Sequence, residues 1–441
     1  MSQMVSNSQW GNEESLAIPQ CNSGQFISTD TNSQSEAALA TLPRLYRQVL
    51  FRIFKKLHTG HLTIVEPSGT TQFGKIGSGL EATIHIQHPS FYGRVIREGG
   101  LGAAESYLQG EWTTNDLTSL LRLMVQNQTT LKGISRGRSW VARGIARLGH
   151  LLRDNSQAGS KRNIHEHYDL GNDFFKLFLD ETMMYSSAYF ENENTPLREA
   201  SEAKLEMICR KLQLSPADHV LEIGTGWGGF AEYAARKCGC RITTTTISQE
   251  QYQFAKERIE RAGMSEQVEL LLEDYRDLQG TYDKLVSIEM IEAVGHRHLD
   301  GYFKACSQLL KADGTMLIQA ITIPDQRYEQ YQHSVDFIQK YIFPGGALPS
   351  VEAMLQSTSR TDLRLLDLQD FASHYSQTLR IWRDRFFANT TEIESQGFSE
   401  RFQRMWEYYF CYCEAAFEER ATGVSQLVFA KPEARLEVSG S

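Results

Sequence analysis

The sequence predicts an α/β protein in which a doubly wound, Rossmann-like sheet follows a smaller N-terminal α+β domain. Beyond residue 164, the stretches HVLEIG, CRITTTT, QVELLLE, YDKLVSI and GTMLIQAI read as strands separated by helical segments. That alternation is the pattern of a doubly wound sheet. The first of these strands runs into a glycine turn, Gly224, Gly226, Gly228 and Gly229, that opens a helix. Ahead of them, from about 40 to 130, short strand-like and helical stretches make a separate unit.

Residues 1–38 are rich in Ser, Asn, Gln and Thr without periodicity and read as a disordered polar tail. The N-terminal domain, 39–153, starts with an amphipathic helix whose apolar stripe is Leu42, Leu45, Tyr46, Val49, Leu50, Ile53, Phe54 and Leu57. Arg44, Arg47, Arg52, Lys55 and Lys56 fall mostly outside the stripe. A second basic amphipathic segment spans 136–153, with Trp140, Val141, Ile145, Leu148, Leu151 and Leu152 on one face beside Arg138, Arg143, Arg147 and Arg153. Either segment can lie on an anionic membrane surface or pack its stripe on its own domain. Between them HLTIVEP, ATIHIQHP and FYGRVIREG read as short strands and turns, and AAESYLQGEW and LTSLLRLMVQ as helices. The polar stretch 154–163, DNSQAGSKRN, is the expected linker to a catalytic unit over 164–441. Within that unit 330–420 reads as mainly helical, and VSQLVFAKP supplies a last strand.

The 441 residues allow two or three domains, and 41 % hydrophobic with 22 % charged residues is an ordinary globular composition. A net charge of −9 argues against general nucleic-acid binding. The chain has no apolar run of membrane-spanning length and begins without a signal-like segment, so a cytoplasmic location is expected, peripheral on the inner face of the membrane. Seven scattered cysteines fit reduced thiols, and the close pairs Cys238/Cys240 and Cys411/Cys413 lack zinc spacing, which favours core packing. His165 and His167 stand two apart, off a common helical face, and read as capping or hydrogen-bonding groups. No metal site is expected.

Two cofactors compete for the glycine turn. A dinucleotide wants an acidic residue at the tip of the next strand, but that strand ends Thr243-Thr244-Thr245-Thr246 and continues to Gln251. Thr246 and Gln251 offer ribose contacts instead, and Asp274 or Tyr275, after the third strand, offers adenine contacts. This is the layout of S-adenosylmethionine-dependent methyltransferases, with a purely structural turn as the alternative.

The stretch at 165–190, HEHYDLGNDFFKLFLDETMMYSSAYF, resembles the signature that leads into the catalytic fold of the cyclopropane fatty acid synthase family. So do LEIGTGWGGF, EDYRDL, SIEMIEAVG and KYIFPGGALPS, while EGGLGAAESYLQGEW, 98–112, resembles the smaller domain of the bacterial synthases. SIEMIEAVG and ITIPDQRYEQY are closest to the plant-type enzymes. The resemblance implies a class I S-adenosylmethionine methyltransferase that alkylates the cis double bond of a phospholipid acyl chain. Such chemistry passes through a carbocation and needs a dry channel, aromatic faces and a base. In this family a bound bicarbonate is described as the base. Carried over, its holders are Glu292, Tyr375, the backbone at Ile321, and Ser187 and Gln319, where the bacterial pattern has Cys and His. The resemblance assigns Tyr185 and Ser186 to the methionine end of the cofactor, Gly224 and Gly226 to its carboxylate, and Thr246 and Gln251 to ribose. It assigns Tyr275 and Arg276 to adenine and the Ile288 carbonyl to the amino group.

Glu289 has no counterpart among those ligands and reads as a cap or as a partner for the cofactor's positive charge. Tyr375 can equally be a core tyrosine, and His296 and His298 read as solvated loop residues. The expected partners are unsaturated phospholipids at an anionic surface, with a homodimer as the common default. Three functions stay open: lipid C-methylation, closing a ring or leaving a methylene or methyl branch; small-molecule N-methylation; and lipid binding by an inactive methyltransferase fold.

Overall fold

In the computed structural model, which describes residues 32–135 and 170–436, the chain builds a four-stranded and a seven-stranded sheet. The second basic segment, the expected linker, His165 and His167 lie outside the described residues.

The small sheet has the order β2-β1-β3-β4, with β1 at His61–Glu66, β2 at Gly69–Gly74, β3 at Glu81–Ile86 and β4 at Trp112–Thr114. Alternation drives the two strands legible in the sequence: Leu62 and Ile64 from β1 and Ala82, Ile84 and Ile86 from β3 are buried. FYGRVIRE, expected as strand and turn, is a helix, Ser90–Glu98. Its β-branched and aromatic residues misled the reading, but Phe91, Tyr92 and Val95 share one helical face and are buried. The helix closes at Gly99, whose φ of 62° suits glycine.

The first helix, Asn32–Phe54, begins inside the segment expected to be a tail, where an Ala-rich run favours helix. Leu50, Phe51, Phe54 and Leu57 are buried in the domain core, with Tyr46 and Ile53 packed against it. Arg47 forks onto Glu66, its Nε donating at 2.8 Å, and its guanidinium lies 4.1 Å from the Phe51 ring centre. From Tyr46 onward the apolar stripe therefore packs on its own domain, while Leu45 stays exposed. Arg44, Arg52, Lys55 and Lys56 remain exposed.

The large sheet has the order β10-β11-β9-β8-β5-β6-β7. Strands β5 (His219–Ile223), β6 (Arg241–Thr246), β7 (Val268–Leu272), β8 (Tyr282–Ile288) and β9 (Leu310–Thr322) run parallel to one another. β11 (Gly423–Ala430) runs antiparallel to β9, and β10 (Arg364–Asp370) antiparallel to β11. β10 interrupts the stretch expected to be helical. It is an edge strand with Leu365, Leu366 and Leu368 exposed, so its apolar residues show no buried face to read. Strand order reverses between β5 and β8, and ligands of open α/β sheets bind beyond the carboxyl ends of the strands at such a point.

Side chains of the small domain and of the large domain's helices meet in one buried cluster, while the two faces of the large sheet pack in two further clusters. Helix Leu117–Gln126 of the small domain packs on helix Glu400–Glu418 of the large one. Arg122 donates to Glu419 at 2.8 Å, Tyr107 to Glu407 at 2.6 Å, and Glu414 accepts from both Thr118 and Arg383. The described cysteines are all free; one of each close pair, Cys240 and Cys411, is buried and its mate half-buried.

Candidate active site

The glycine turn leaves β5 at the switch point. Gly224 and Gly226 have φ of 102° and 52°, a region that L side chains rarely adopt. A Cβ on Gly224 would stand 3.2 Å from the Met290 side chain, so the bare backbone also lets the loop after β8 approach. The backbone N–H groups of Gly224 and Thr225 donate to Thr245, which ties the turn to the end of β6. There Thr246 donates to Gln251 at 3.0 Å, holding both polar groups at the rim of the cavity. Asp274, an expected adenine contact, is engaged by the Arg276 guanidinium at 2.8 and 2.7 Å. Tyr275 stacks edge-on to Tyr302 at 5.5 Å. Ile288 ends β8 at the cavity wall. Tyr185 sits in an aromatic cage with Phe175, Trp382 and Phe343, its hydroxyl 3.1 Å from that of Tyr409. Ser186 accepts from Lys204 at 2.9 Å. Glycine cradle, ribose-level pair, aromatic cage and polar end groups fit S-adenosylmethionine.

The loop after β8 carries both carboxylates of SIEMIEAVG. Glu289 Oε1 accepts from the Ser187 backbone N–H at 2.9 Å and from Gln319 Nε2 at 2.8 Å, and Oε2 accepts from the Tyr375 hydroxyl at 2.7 Å. Gln426 donates to Gln319 Oε1 at 3.1 Å, so the Gln319 amide presents its NH₂ to Glu289. Glu289 pays for this placement with a φ of 49°. A left-handed backbone costs a residue with a side chain about 1–2 kcal/mol. Glu292, three residues on, accepts from the Ile321 backbone N–H at 2.5 Å, while its other oxygen is buried without a protein partner.

Burial raises the carboxyl pKa of both residues. At Glu289 the bonds from Tyr375, Gln319 and Ser187 and the Lys204 charge oppose the rise. At Glu292 the Glu289 charge adds to burial, which pushes the group up to about 8. Lys204, fully buried, is pulled down to about 8 by burial against the pull of Glu289, Asp180 and Glu222. Of the two carboxyls, Glu289 is the one built to ionise and Glu292 the one built to stay protonated.

The expected site residues thus come together, with changes of role. Ser187 contributes its N–H, and its hydroxyl turns away to the Ala188 carbonyl at 3.0 Å. The Ile321 N–H is taken by Glu292. Tyr375 stacks on Phe417 at 4.5 Å and also holds Glu289, so the core and site readings are both true of it. His296, expected to be solvated, is half-buried against Tyr328 and Tyr331. Bicarbonate does not fit: Ser187, Gln319, Tyr375 and Ile321 already donate to protein carboxyl groups, and a further anion would face the Glu289 carboxylate. Sequence reading missed Glu289 as the centre of the cluster, and with it Lys204 and Gln426. Its one legible signal was that Glu289 has no counterpart among the ligands the resemblance carries over, beside the departures at Ser187 and Gln319.

The glycine turn, Thr246, Gln251, Tyr185, Glu289, Glu292 and Tyr375 line one cavity of about 1330 Å³, with Ser187, Gln319 and Lys204 behind its wall. Leu101, Leu121, Met124 and Val125 of the small domain also line it, so the second domain closes an apolar extension of the site.

Strand order, glycine turn and site position define a class I S-adenosylmethionine-dependent methyltransferase. The family described as mycolic acid cyclopropane synthetase matches residues 155–427, and the chain belongs to it. A tuberculostearic acid methyltransferase of Mycobacterium tuberculosis is 41 % identical over 353 residues, 78 % of this chain and 82 % of that protein. The cyclopropane-fatty-acyl-phospholipid synthase of Escherichia coli K12 is 39 % identical over 373 residues, 81 % of this chain and 90 % of that protein. A solved mycolic acid cyclopropane synthase, complexed with SAH and CTAB, superposes with a TM-score of 0.58 at 31 % identity, over 62 % of this chain and 98 % of its own.

Proposed function

We propose that this methyltransferase acts on the cis double bond of an unsaturated phospholipid acyl chain and closes it to a cyclopropane. The observation that carries this reading is the cavity, which joins the glycine cradle to an apolar extension from both domains, with the carboxylate cluster lining the same space. S-adenosylmethionine supplies an electrophilic methyl group there. The apolar walls exclude water from a carbocation, and the rings of Tyr185 and Phe343, which line the cavity, offer π faces that tolerate positive charge. The name of the Escherichia coli relative supports both the phospholipid and the ring. The Mycobacterium tuberculosis relative favours a second outcome, in which the same cation is resolved to a methylene or methyl branch.

The deciding experiment is expression in a host that lacks its own synthase, followed by mass spectrometry of the lipids against cyclopropane, methylene and methyl-branched standards. Acyl chains heavier by one CH₂ that co-elute with the cyclopropane standard are expected. The absence of any chain heavier by one CH₂ refutes lipid C-methylation. Peripheral membrane contact belongs to the same proposal and rests on exposed Arg44, Arg52, Lys55 and Lys56. Sedimentation with anionic liposomes should weaken steeply with salt, because screening shortens the reach of surface charge. Salt-independent sedimentation refutes that charge-based contact.

A further inference from the structure

We infer that Glu289 is the general base of the reaction, its own carboxylate standing where a bound oxyanion would be held, so that the enzyme works without bicarbonate. The inference rests on lipid C-methylation as the reaction. An ionised carboxylate has about four lone-pair sites. Three of those on Glu289 are filled, two on Oε1 by Ser187 and Gln319 and one on Oε2 by Tyr375. Oε2 keeps one acceptor position, and Glu289 lines the cavity. The donors are themselves fixed: Gln319 by Gln426, Tyr375 by its stack on Phe417, and Ser187 by being main chain. Burial raises the Glu289 pKa, and the three donors oppose that rise by favouring the ionised form that accepts a proton.

Glu292 is the rival, and its surroundings decide against it. It has one protein donor and a like charge beside it, conditions that keep a carboxyl protonated and unable to accept. The groups that bear on Glu289 are Lys204 from helix Leu197–Leu212, Glu292 from its own loop, Tyr375 from helix Ala372–Ala388 and Tyr409 from helix Glu400–Glu418. Lys204 is the one cation among them and supplies the countercharge for Glu289.

In the step itself, the alkene π pair forms the bond to the incoming methyl carbon as the C–S pair leaves with sulfur. The neighbouring alkene carbon becomes cationic. Glu289 Oε2 then takes a proton from the new methyl group, and the freed C–H pair closes the three-membered ring on the cationic carbon. The proton passes from Glu289 to solvent after product release, which restores the base.

Two substitutions and one ligand test this. Glu289→Gln keeps the shape and removes the base. Glu289→Gly opens the pocket, and glycine accepts the φ of 49° without strain. Loss of a general base slows turnover by about a hundredfold or more, so Glu289→Gln should lose that much kcat while SAH affinity stays within about threefold. Wild-type activity should not change in buffer freed of bicarbonate. Glu289→Gly should regain at least about tenfold of its lost rate on adding bicarbonate. Independently of turnover, ¹³C-labelled bicarbonate should broaden on Glu289→Gly with SAH present and stay sharp with wild type. A wild-type enzyme that binds or requires bicarbonate overturns the inference, as does Glu289→Gln with near wild-type kcat. A wild-type protein that makes no heavier lipid instead refutes the underlying reading, and the base assignment falls with it.

Discussion

Tyr375→Phe isolates one of the three bonds that hold Glu289. The phenol donates to Glu289 Oε2 at 2.7 Å, while its ring stacks on Phe417 at 4.5 Å and meets Trp382 edge-on at 6.1 Å. Phenylalanine keeps both ring contacts, so the loss is confined to one charge-assisted hydrogen bond. Such a bond contributes about 1.5–3 kcal/mol. At about 1.36 kcal/mol per unit, its removal raises the Glu289 pKa by a further one to two units or so. The acidic limb of kcat against pH should move up by the same amount. Below that limb the variant should be about ten- to a hundredfold slower than wild type, and the gap should close as pH rises. Stability gives a second readout. A carboxyl whose folded pKa is raised contributes stability at low pH that is lost as pH rises through the folded pKa. The variant raises that pKa further, so its melting temperature should fall below wild type by more at neutral than at acid pH. Steady-state rates across pH, with thermal melts at both ends, check this. An acidic limb that stays in place, or a melting deficit independent of pH, refutes the reasoning.

Glu292→Gln keeps an acceptor for the Ile321 N–H and mimics the protonated acid. Near pH 7 its kcat should stay within about tenfold of wild type, and the alkaline fall near pH 8 should become shallower, leaving the part due to Lys204. A large loss at neutral pH would mean that the ionised form of Glu292 is needed. Gly224→Ala places a Cβ against Met290 at a φ of 102°, so it should cost about 1–3 kcal/mol and weaken SAH binding in calorimetry; unchanged affinity refutes the cradle role. Met124→Trp fills the apolar extension from the small-domain side, so turnover should fall more on long acyl chains than on short ones. An equal effect on all lengths removes the small domain from the channel.

Most of the catalytic fold was legible because parallel strands buried on both faces read as apolar runs, as in HVLEI and TMLIQAI, and because the glycine turn marks its switch point. The edge strand RLLDLQD was not, since its leucines face solvent and match no buried periodicity. FYGRVIRE was misread because local strand propensity disagrees with the face it buries against the small sheet.

The sequence by itself determined the methyltransferase class and, through the family resemblance its motifs carry, singled out Ser187, Gln319, Ile321, Tyr375 and Glu292 as site residues. Only the tertiary structure decided which carboxylate those donors hold. Ser187, Glu289, Gln319 and Tyr375 come from four distant segments, and a hydrogen bond depends on where side chains converge, which no spacing along the chain encodes. The same holds for Lys204, an ordinary helical lysine in the sequence, which becomes a buried countercharge once its helix packs beneath the site.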